Sequence, residues 1–240
     1  MERTSYLAAL RDDAERLLTA AAGGLDRPVP TCPGWSTERL VGHVGRAYRW
    51  TAGWVTDGAG AQVERPPAGP AVLDWTRAGL DEVVATLAGG DPDEEVATWA
   101  GPQPAIFWPR RMALETAVHR FDAQAAAGGG EPVATDLALD GVDELLTVLL
   151  PLRGAGDLDG AGVTIHLHAT DPDIEGGEWL VTLPAEGGVT VEHVHAKGDV
   201  AVRARASDLL LLLHNRVGPD RAEVFGDTGI LDRWRASVRM

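Results

Sequence analysis

The chain is poor in several residue types, and each shortage argues against a class of protein. It has one cysteine, Cys32, among 240 residues, so no disulfide can form within the chain. A free thiol of this kind is typical of a reducing compartment, and we expect a cytoplasmic protein. No apolar run is as long as a membrane-spanning helix. The N-terminus also lacks the basic stretch followed by an apolar run that is typical of a signal peptide. We therefore expect no membrane partner.

Basic residues are also scarce. Twenty-one Lys and Arg stand against 36 Asp and Glu, which gives a formal net charge of −15, and lysine occurs once, at Lys197. An acidic surface repels phosphate backbones, so we expect no nucleic-acid partner. The balance reverses in residues 201–240, where seven arginines against five acidic residues give +2. This segment is where we expect a small anionic ligand to find its cation.

Helical spacing of apolar residues dominates the first half of the chain. It predicts helices over 4–22, 36–56, 71–88, 110–127 and 136–150, with Ser36 as an N-cap and Pro151 as a stop. Proline-rich and glycine-rich stretches separate the first four helices. We expect a helical-bundle domain over residues 1–152, built as a four-helix bundle.

The period of the apolar residues changes to two after the Gly/Asp-rich stretch 153–162. This alternation predicts strands at 163–168, 179–183, 189–195 and 200–205. Ser207 is expected to cap a leucine-rich helix that runs through Arg216, and a last short helix is expected over 230–238. The predicted fold class is α+β, with the bundle followed by a smaller α+β domain over residues 160–240.

The most informative side chains are Glu115 and His119. A four-residue step on a helix stacks two side chains on one face, where a carboxylate and an imidazole can share a metal ion. His43 is the only other histidine in the first 160 residues, and it too lies in a predicted helix. Two histidines and one carboxylate with open positions describe a catalytic zinc or related divalent site. The alternative is a surface pair of Glu115 and His119 on one helix, with His43 as an unrelated packed or solvent-facing histidine.

Several other groups each allow two interpretations. Cys32 is a covalent nucleophile or a packing residue of its proline-rich loop. Asp122 holds the His119 ring nitrogen that faces away from the metal, or lies on the helix surface. Four tryptophans line a cleft or fill a core: Trp35, Trp50, Trp54 and Trp108. Four histidines of the predicted strands bind a second metal or lie on a solvated sheet face: His166, His168, His193 and His195.

Three N-terminal motifs carry a resemblance to a known family. They are Val29-Pro-Thr-Cys-Pro-Gly-Trp35, Leu40-Val-Gly-His43 and Glu115-Thr-Ala-Val-His119-Arg-Phe-Asp122. Later segments agree: His168-Ala-Thr-Asp171, Glu178-Trp179 and Val224-Phe-Gly-Asp-Thr-Gly-Ile-Leu-Asp-Arg-Trp234. Together they resemble the mycothiol-dependent maleylpyruvate isomerase family, part of the DinB-like metal-binding helical-bundle superfamily, over nearly the whole chain.

The resemblance implies that His43, Glu115 and His119 bind a divalent metal, usually taken as zinc, and that the thiol mycothiol is the cosubstrate. It also implies that an arginine of the second domain reaches the metal cleft, and Arg216 is the position that matches best. The expected function is a metal-dependent isomerase or thiol S-transferase, a monomer or homodimer, acting on a small electrophilic and anionic substrate. A non-catalytic ligand-binding protein and a metal-dependent hydrolase are the alternatives.

Overall fold

The structure is a computed structural model that describes residues 1–153, 162–183 and 188–238. The chain divides into two compact units, residues 1–133 and 134–240. Among the described residues, no helix is long and apolar enough to cross a membrane.

The first unit is a bundle of four helices. They are α1 (Arg3–Ala22), α2 (Thr37–Asp57), α3 (Ala71–Leu87) and α4 (Phe107–Ala126), each within three residues of the predicted bounds. Helix α1 packs on α4, and α2 packs on both α3 and α4. The Ser36 side chain accepts a hydrogen bond from Arg39 N at 3.2 Å, which confirms the predicted N-cap of α2. A short antiparallel pair, β1 (Glu95–Val96) and β2 (Gln103–Pro104), precedes α4.

Polar contacts fix how the four helices meet. The buried guanidinium of Arg120 on α4 lies 2.7 Å from the Asp13 carboxylate on α1. Between α2 and α4, the buried hydroxyls of Tyr48 and Thr116 share a hydrogen bond of 2.9 Å. Gly45 lets α2 approach α3, since a Cβ there would lie only 2.5 Å from the Thr76 hydroxyl. These contacts position α2 beside α4, which between them carry His43, Glu115 and His119.

The second unit is a five-stranded sheet with helices. Its strands are β3 (Val163–Ala169), β4 (Glu178–Leu183), β5 (Thr190–Glu192), β6 (Val200–Ala204) and β7 (Glu223–Gly226), in the order β5-β4-β3-β6-β7. Among these five strands, β3 and β6 pair in parallel and the other neighbouring pairs are antiparallel. Helix α7 (Ala206–Leu213) packs on β3 and β6, and α8 (Thr228–Ser237) packs on β6.

Helix α5 (Thr135–Glu144) opens the second unit and packs against α7. Asp171 joins the starts of both helices, because its carboxylate accepts from the Thr135 hydroxyl at 3.1 Å and from Ala206 N at 2.6 Å. The helical path continues through a π-helical segment, Leu145–Leu149, into α6 (Leu150–Arg153), which includes Pro151. The sequence predicts a later domain boundary, between residues 152 and 160, and that boundary stays a prediction.

Four local predictions for the second unit differ from the structure. Pro151 does not stop the helix, because the helical path continues through the π-helical segment into α6. Helix α7 starts at Ala206, so Ser207 is not its N-cap, and it ends at Leu213, before Arg216. The predicted strand 189–195 stops at Glu192, because Val194 N turns back to donate to Glu192 O at 3.1 Å. Strand β7 was not predicted, since its four residues show no clear alternation. The segment between β5 and β6 carries the exposed Lys197.

Candidate metal centre

The first unit brings His43, Glu115 and His119 together, in agreement with the sequence prediction. The Nε2 atoms of both histidines lie 3.2 Å from the same oxygen, Glu115 Oε1. One ligand atom from each residue falls within 4.8 Å of the other two, and the two imidazole rings are 5.0 Å apart. The motif step of four residues on α4 stacks Glu115 and His119, and the packing of α2 on α4 supplies His43.

The distances fit a small divalent cation. Ligands at the usual distance of about 2.0–2.1 Å from a tetrahedral zinc are separated by about 3.3 Å. Both nitrogen-to-carboxylate distances here are 3.2 Å. Two histidines and a carboxylate leave a fourth position open, as in catalytic rather than structural zinc sites. The arrangement can therefore hold a metal without moving its three side chains far.

Asp122 lies behind His119. Its buried carboxylate Oδ2 is 2.8 Å from His119 Nδ1. Asp122 therefore contacts the ring nitrogen that faces away from Glu115 and does not lie on the helix surface. A carboxylate on Nδ1 holds the proton there and leaves the Nε2 lone pair for a metal. The Cys32 thiol donates to the same Asp122 oxygen at 3.5 Å.

Cys32, Asp122 and His119 form a second compact group of potential ligands. This group contains the other ring nitrogen of His119, Nδ1. Its residues are joined by hydrogen bonds, from the Cys32 thiol to Asp122 and between Asp122 and His119. The set with His43 and Glu115 fits a cation better, because there both nitrogens converge on one carboxylate oxygen.

Arg111 is a site residue that the sequence analysis missed. Its guanidinium pairs with Glu115 Oε2, the carboxylate oxygen that faces away from the histidines. Burial alone would raise the pKa of Glu115, but Arg111 and His119 outweigh it and hold that pKa well below its usual range. Arg111 stands four residues before Glu115, so the helical spacing of opposite charges was the available signal.

The metal-free site keeps a proton on His119. Burial would lower the pKa of His119, but the Glu115 and Asp122 carboxylates outweigh it and raise the pKa to about 9. A metal bound at Nε2 would displace that proton, so its binding would release a proton at neutral pH.

The site is open on the side of His43. Side-chain exposure falls from 41% at His43 to 21% at Glu115 and 10% at His119. The Trp35 ring lies edge-on to the His43 ring at 5.1 Å, and Arg39 stacks over Trp35 at 4.6 Å. A small molecule can therefore approach from the end where His43 lies, past an aromatic ring.

The other three tryptophans do not reach this centre. Trp50, Trp54 and Trp108 pack on one another with ring centroids 5.8–6.4 Å apart, and Trp108 is buried. They behave as a hydrophobic cluster rather than as the lining of the site. Trp35 alone among the four predicted tryptophans contacts a proposed ligand.

Arg216 lies in the second unit, in the turn after α7. Its Nη1 donates to the His214 carbonyl at 2.7 Å, and the side chain is half-buried. The preceding residue, Asn215, has φ of 60°, the left-handed conformation that ends a helix. The role predicted for Arg216 in binding an anion stays a prediction.

Three of the four sheet histidines gather around one carboxylate. His166 Nε2 and His195 Nδ1 lie 3.4 and 2.7 Å from Glu178 Oε2, and His168 Nδ1 lies 3.5 Å from Glu178 Oε1. Burial lowers the pKa of His166. His193 does not join them; it pairs with Asp143 of α5 at 3.2 Å. The predicted strand over 189–195 would place His193 and His195 on one face of the sheet, and this prediction is wrong, because the strand ends at Glu192 and the chain turns at Val194.

Comparisons with known proteins cover nearly the whole chain. A family model described as the mycothiol maleylpyruvate isomerase N-terminal domain matches residues 7–124, and the model of the corresponding C-terminal domain matches residues 136–233. The crystal structure of a mycothiol-dependent maleylpyruvate isomerase aligns at 15% identity over 93% of each chain, with a TM-score of 0.59. A histidine-to-alanine mutant of that enzyme aligns at 16% identity, with the same coverage and TM-score. No curated protein matches the chain. The likeness confirms the predicted fold, a helical bundle followed by an α+β domain.

Proposed function

The chain belongs to the mycothiol maleylpyruvate isomerase family, and we propose that it is a metal-dependent enzyme that uses mycothiol to transform a small, anionic electrophile. The family models span both units of the chain, and the aligned crystal structure carries the activity in its name. The proposal includes His43, Glu115 and His119 as the ligands of a divalent metal, with zinc as the first candidate.

One observation carries the proposal. Two imidazole nitrogens from different helices point at one carboxylate oxygen at equal distances of 3.2 Å, on a solvent-accessible side of the bundle. Histidine Nε2 atoms and a carboxylate are the donors that zinc and related divalent ions prefer. The Nδ1 contact of His119 with buried Asp122 adds the supporting hydrogen bond that metal-ligating histidines usually make.

The proposed chemistry needs an activated thiol. A divalent cation held by these three residues would act as a Lewis acid and lower the pKa of a thiol, so that thiolate forms at neutral pH. The mycothiol thiolate then adds to an electrophilic carbon of the substrate. Loss of the thiol after rotation about the former double bond gives isomerisation, whereas retention of the thiol gives a transferase product.

The remaining residues of the site have positioning roles in this scheme. Asp122 keeps the His119 proton on Nδ1, which orients the ring. Arg111 pairs with the outer oxygen of Glu115 and keeps that carboxylate ionised, with Oε1 turned toward the histidines. Trp35 forms one wall beside His43, the most exposed of the three ligands, where thiol and substrate would enter.

Arg216 is proposed as the group that binds the anionic part of the substrate. Arginine stays charged and presents a planar fork that matches a carboxylate. Its half-buried side chain belongs to the segment 201–240, the net-positive part of an acidic chain.

The experiment compares turnover of electrophiles, with maleylpyruvate first, in the presence and absence of mycothiol. The purified protein is analysed for metal, stripped with a chelator, and reloaded with Zn²⁺. We expect turnover to require both thiol and metal, and to disappear in the triple variant His43→Ala/Glu115→Gln/His119→Ala. A matched triple variant at the distant aromatic and surface positions Trp50→Phe/Glu82→Gln/Arg77→Gln should retain it.

Three outcomes would contradict the proposal. Turnover that needs metal but not thiol would indicate a hydrolase. Tight ligand binding with no turnover of any electrophile would indicate a binding protein. Stoichiometric metal in the His43/Glu115/His119 triple variant, with activity intact, would move the metal site elsewhere.

A further inference from the structure

The second unit carries a group of ionisable side chains that the proposed reaction does not use. His166 and His168 alternate along β3 with the buried residues Ile165 and Leu167, so they lie on the opposite face of the sheet. Glu178 pairs directly with His168 across the β3–β4 ladder and shares that face. His195 reaches the same carboxylate from the segment after β5.

The geometry of this group is similar to that of the site formed by His43, Glu115 and His119 in the helical bundle, which we call the bundle site. Two imidazole nitrogens, His166 Nε2 and His195 Nδ1, approach one carboxylate oxygen, Glu178 Oε2, at 3.4 and 2.7 Å. One ligand atom from each residue lies within 4.8 Å of the others. The 3.4 Å distance matches the separation of about 3.3 Å expected between ligands of a tetrahedral zinc, and the exposed His195 can retreat by the remaining fraction of an ångström.

His166 supplies an independent indication of a ligand. The residue is 5% exposed, and its buried Nε2 has no hydrogen-bond partner among the residues that the structure describes. Glu178 Oε2 lies 3.4 Å from this nitrogen, and the contact counts as an ion pair but not as a hydrogen bond. A buried nitrogen without a hydrogen bond is costly unless a partner binds there. A metal placed between Glu178 and His195 would supply that partner.

We propose that His166, Glu178 and His195 form a second divalent transition-metal site, on the sheet of the second unit and separate from the bundle site. His168 is not a ligand in this arrangement. It lies 3.5 Å from Glu178 Oε1, the other carboxylate oxygen, and holds the orientation of Glu178. Because the donors are two imidazoles and one carboxylate, the site takes Zn²⁺, Cu²⁺ or Ni²⁺ in preference to Mg²⁺ or Ca²⁺.

The turn at Val194 determines which of the two histidines after β5 belongs to the site. It sends His193 to Asp143 of α5 and leaves His195 beside Glu178. His193 and His195 are both exposed and two residues apart, with 64% and 77% of their side-chain surface accessible. The pair therefore provides a variant and a matched control with equal chemistry and equally small effects on folding.

The test is Zn²⁺ binding by the full chain, measured by equilibrium dialysis with Zn²⁺ alone as the probe. His195→Ala and Glu178→Gln should each bind one equivalent fewer than the wild type, or bind it at least about 100-fold more weakly, since even indirect supports of a ligand cost 10–100-fold. His193→Ala should match the wild type. Loss of affinity below tenfold in both His195→Ala and Glu178→Gln would overturn the proposal.

The same measurement in the His43/Glu115/His119 triple variant separates the two sites. One equivalent should remain there and disappear when His195→Ala is added. Imidazole ¹⁵N NMR of that triple variant identifies the ligand atoms: Zn²⁺ should shift His166 Nε2 and His195 Nδ1 and leave His193 unchanged. No bound Zn²⁺ in this variant, or shifts confined to other histidines, would contradict the second site whatever happens at the first.

Discussion

Asp122 Oδ2 lies 2.8 Å from Nδ1 of His119, and neither side chain is more than one-tenth exposed. Because both residues belong to one helix at a spacing of three, this contact is formed by α4 itself and does not depend on the packing of other helices. It fixes which nitrogen of His119 is offered to a ligand.

Asp122→Asn should weaken divalent metal binding at the bundle site by about 10–100-fold, because the amide cannot hold the Nδ1 proton as a carboxylate does. Competition with a chromogenic chelator measures the change. Asp74→Asn is the control, since the Asp74 side chain is 91% exposed on α3. Equal affinity in the wild type and Asp122→Asn would mean that Asp122 is a structural residue only.

The stability of the metal-free protein should depend on pH through His119. Its pKa is about 9 in the folded chain against an ordinary value of 6.5, because Glu115 and Asp122 outweigh the effect of burial. The folded state therefore holds this proton more tightly than the unfolded state. The resulting stabilisation is complete below pH 6.5 and is lost as the pH rises through 9. The difference between the two pKa values corresponds to about 3 kcal/mol.

Urea unfolding of metal-free protein at pH 6 and pH 9.5 measures this loss, with His119→Gln as the comparison. The fall in the free energy of unfolding should be larger in the wild type than in the variant. An equal fall in both proteins would show that His119 does not hold the extra proton. Imidazole NMR titration of the metal-free protein gives the pKa directly.

Cys32→Ser should keep activity within several-fold of the wild type, because in the proposed reaction the thiol comes from mycothiol and the substitution removes no reacting atom. The serine hydroxyl can still donate to Asp122, as the Cys32 thiol does at 3.5 Å. Steady-state kinetics on an accepted electrophile, with metal content measured in parallel, test this. A fall of about a thousandfold with fold and metal intact would make Cys32 a covalent nucleophile.

Arg216→Ala should lower kcat/KM for a carboxylate-bearing substrate by the equivalent of about 2–5 kcal/mol, the usual cost of removing one partner of a buried, charge-assisted contact. Arg216→Lys should rescue little, since lysine keeps the charge and loses the fork. Arg221→Ala, an exposed arginine of the same unit, is the control. An unchanged kcat/KM in Arg216→Ala would remove it from the site and leave Arg203 or Arg205 as candidates.

The parts of this protein that sequence patterns predicted are those set by local spacing. The apolar periodicity of α1 to α4 gave their bounds closely, and the step from Glu115 to His119 put both on one face. His43 was predicted as well, because few other histidines were available to complete the set. The contact of Arg111 with Glu115 has the same helical spacing and was missed only because charged pairs four apart are common on helix surfaces.

The predictions that were wrong concern features set by distant residues or by the backbone alone. The turn at Val194 separates His193 from His195, and nothing in the local alternation indicates it. Strand β7 exists because it pairs with β6 through contacts such as Val202 with Val224, which lie far apart in the chain. The continuation of the helix past Pro151 depends on a π-helical segment, a backbone adjustment that has no residue signature.

The exposed position of Lys197 gives the chain an unusual property as a reagent. It carries the only side-chain amine among 240 residues, two positions after His195. An amine-directed fluorophore can therefore react at this one side chain and otherwise only at the α-amino group, with no mutagenesis needed. Cu²⁺ or Ni²⁺ bound within a few residues of such a dye would quench its fluorescence. A labelled protein would therefore report occupancy of the proposed metal site of the sheet in real time.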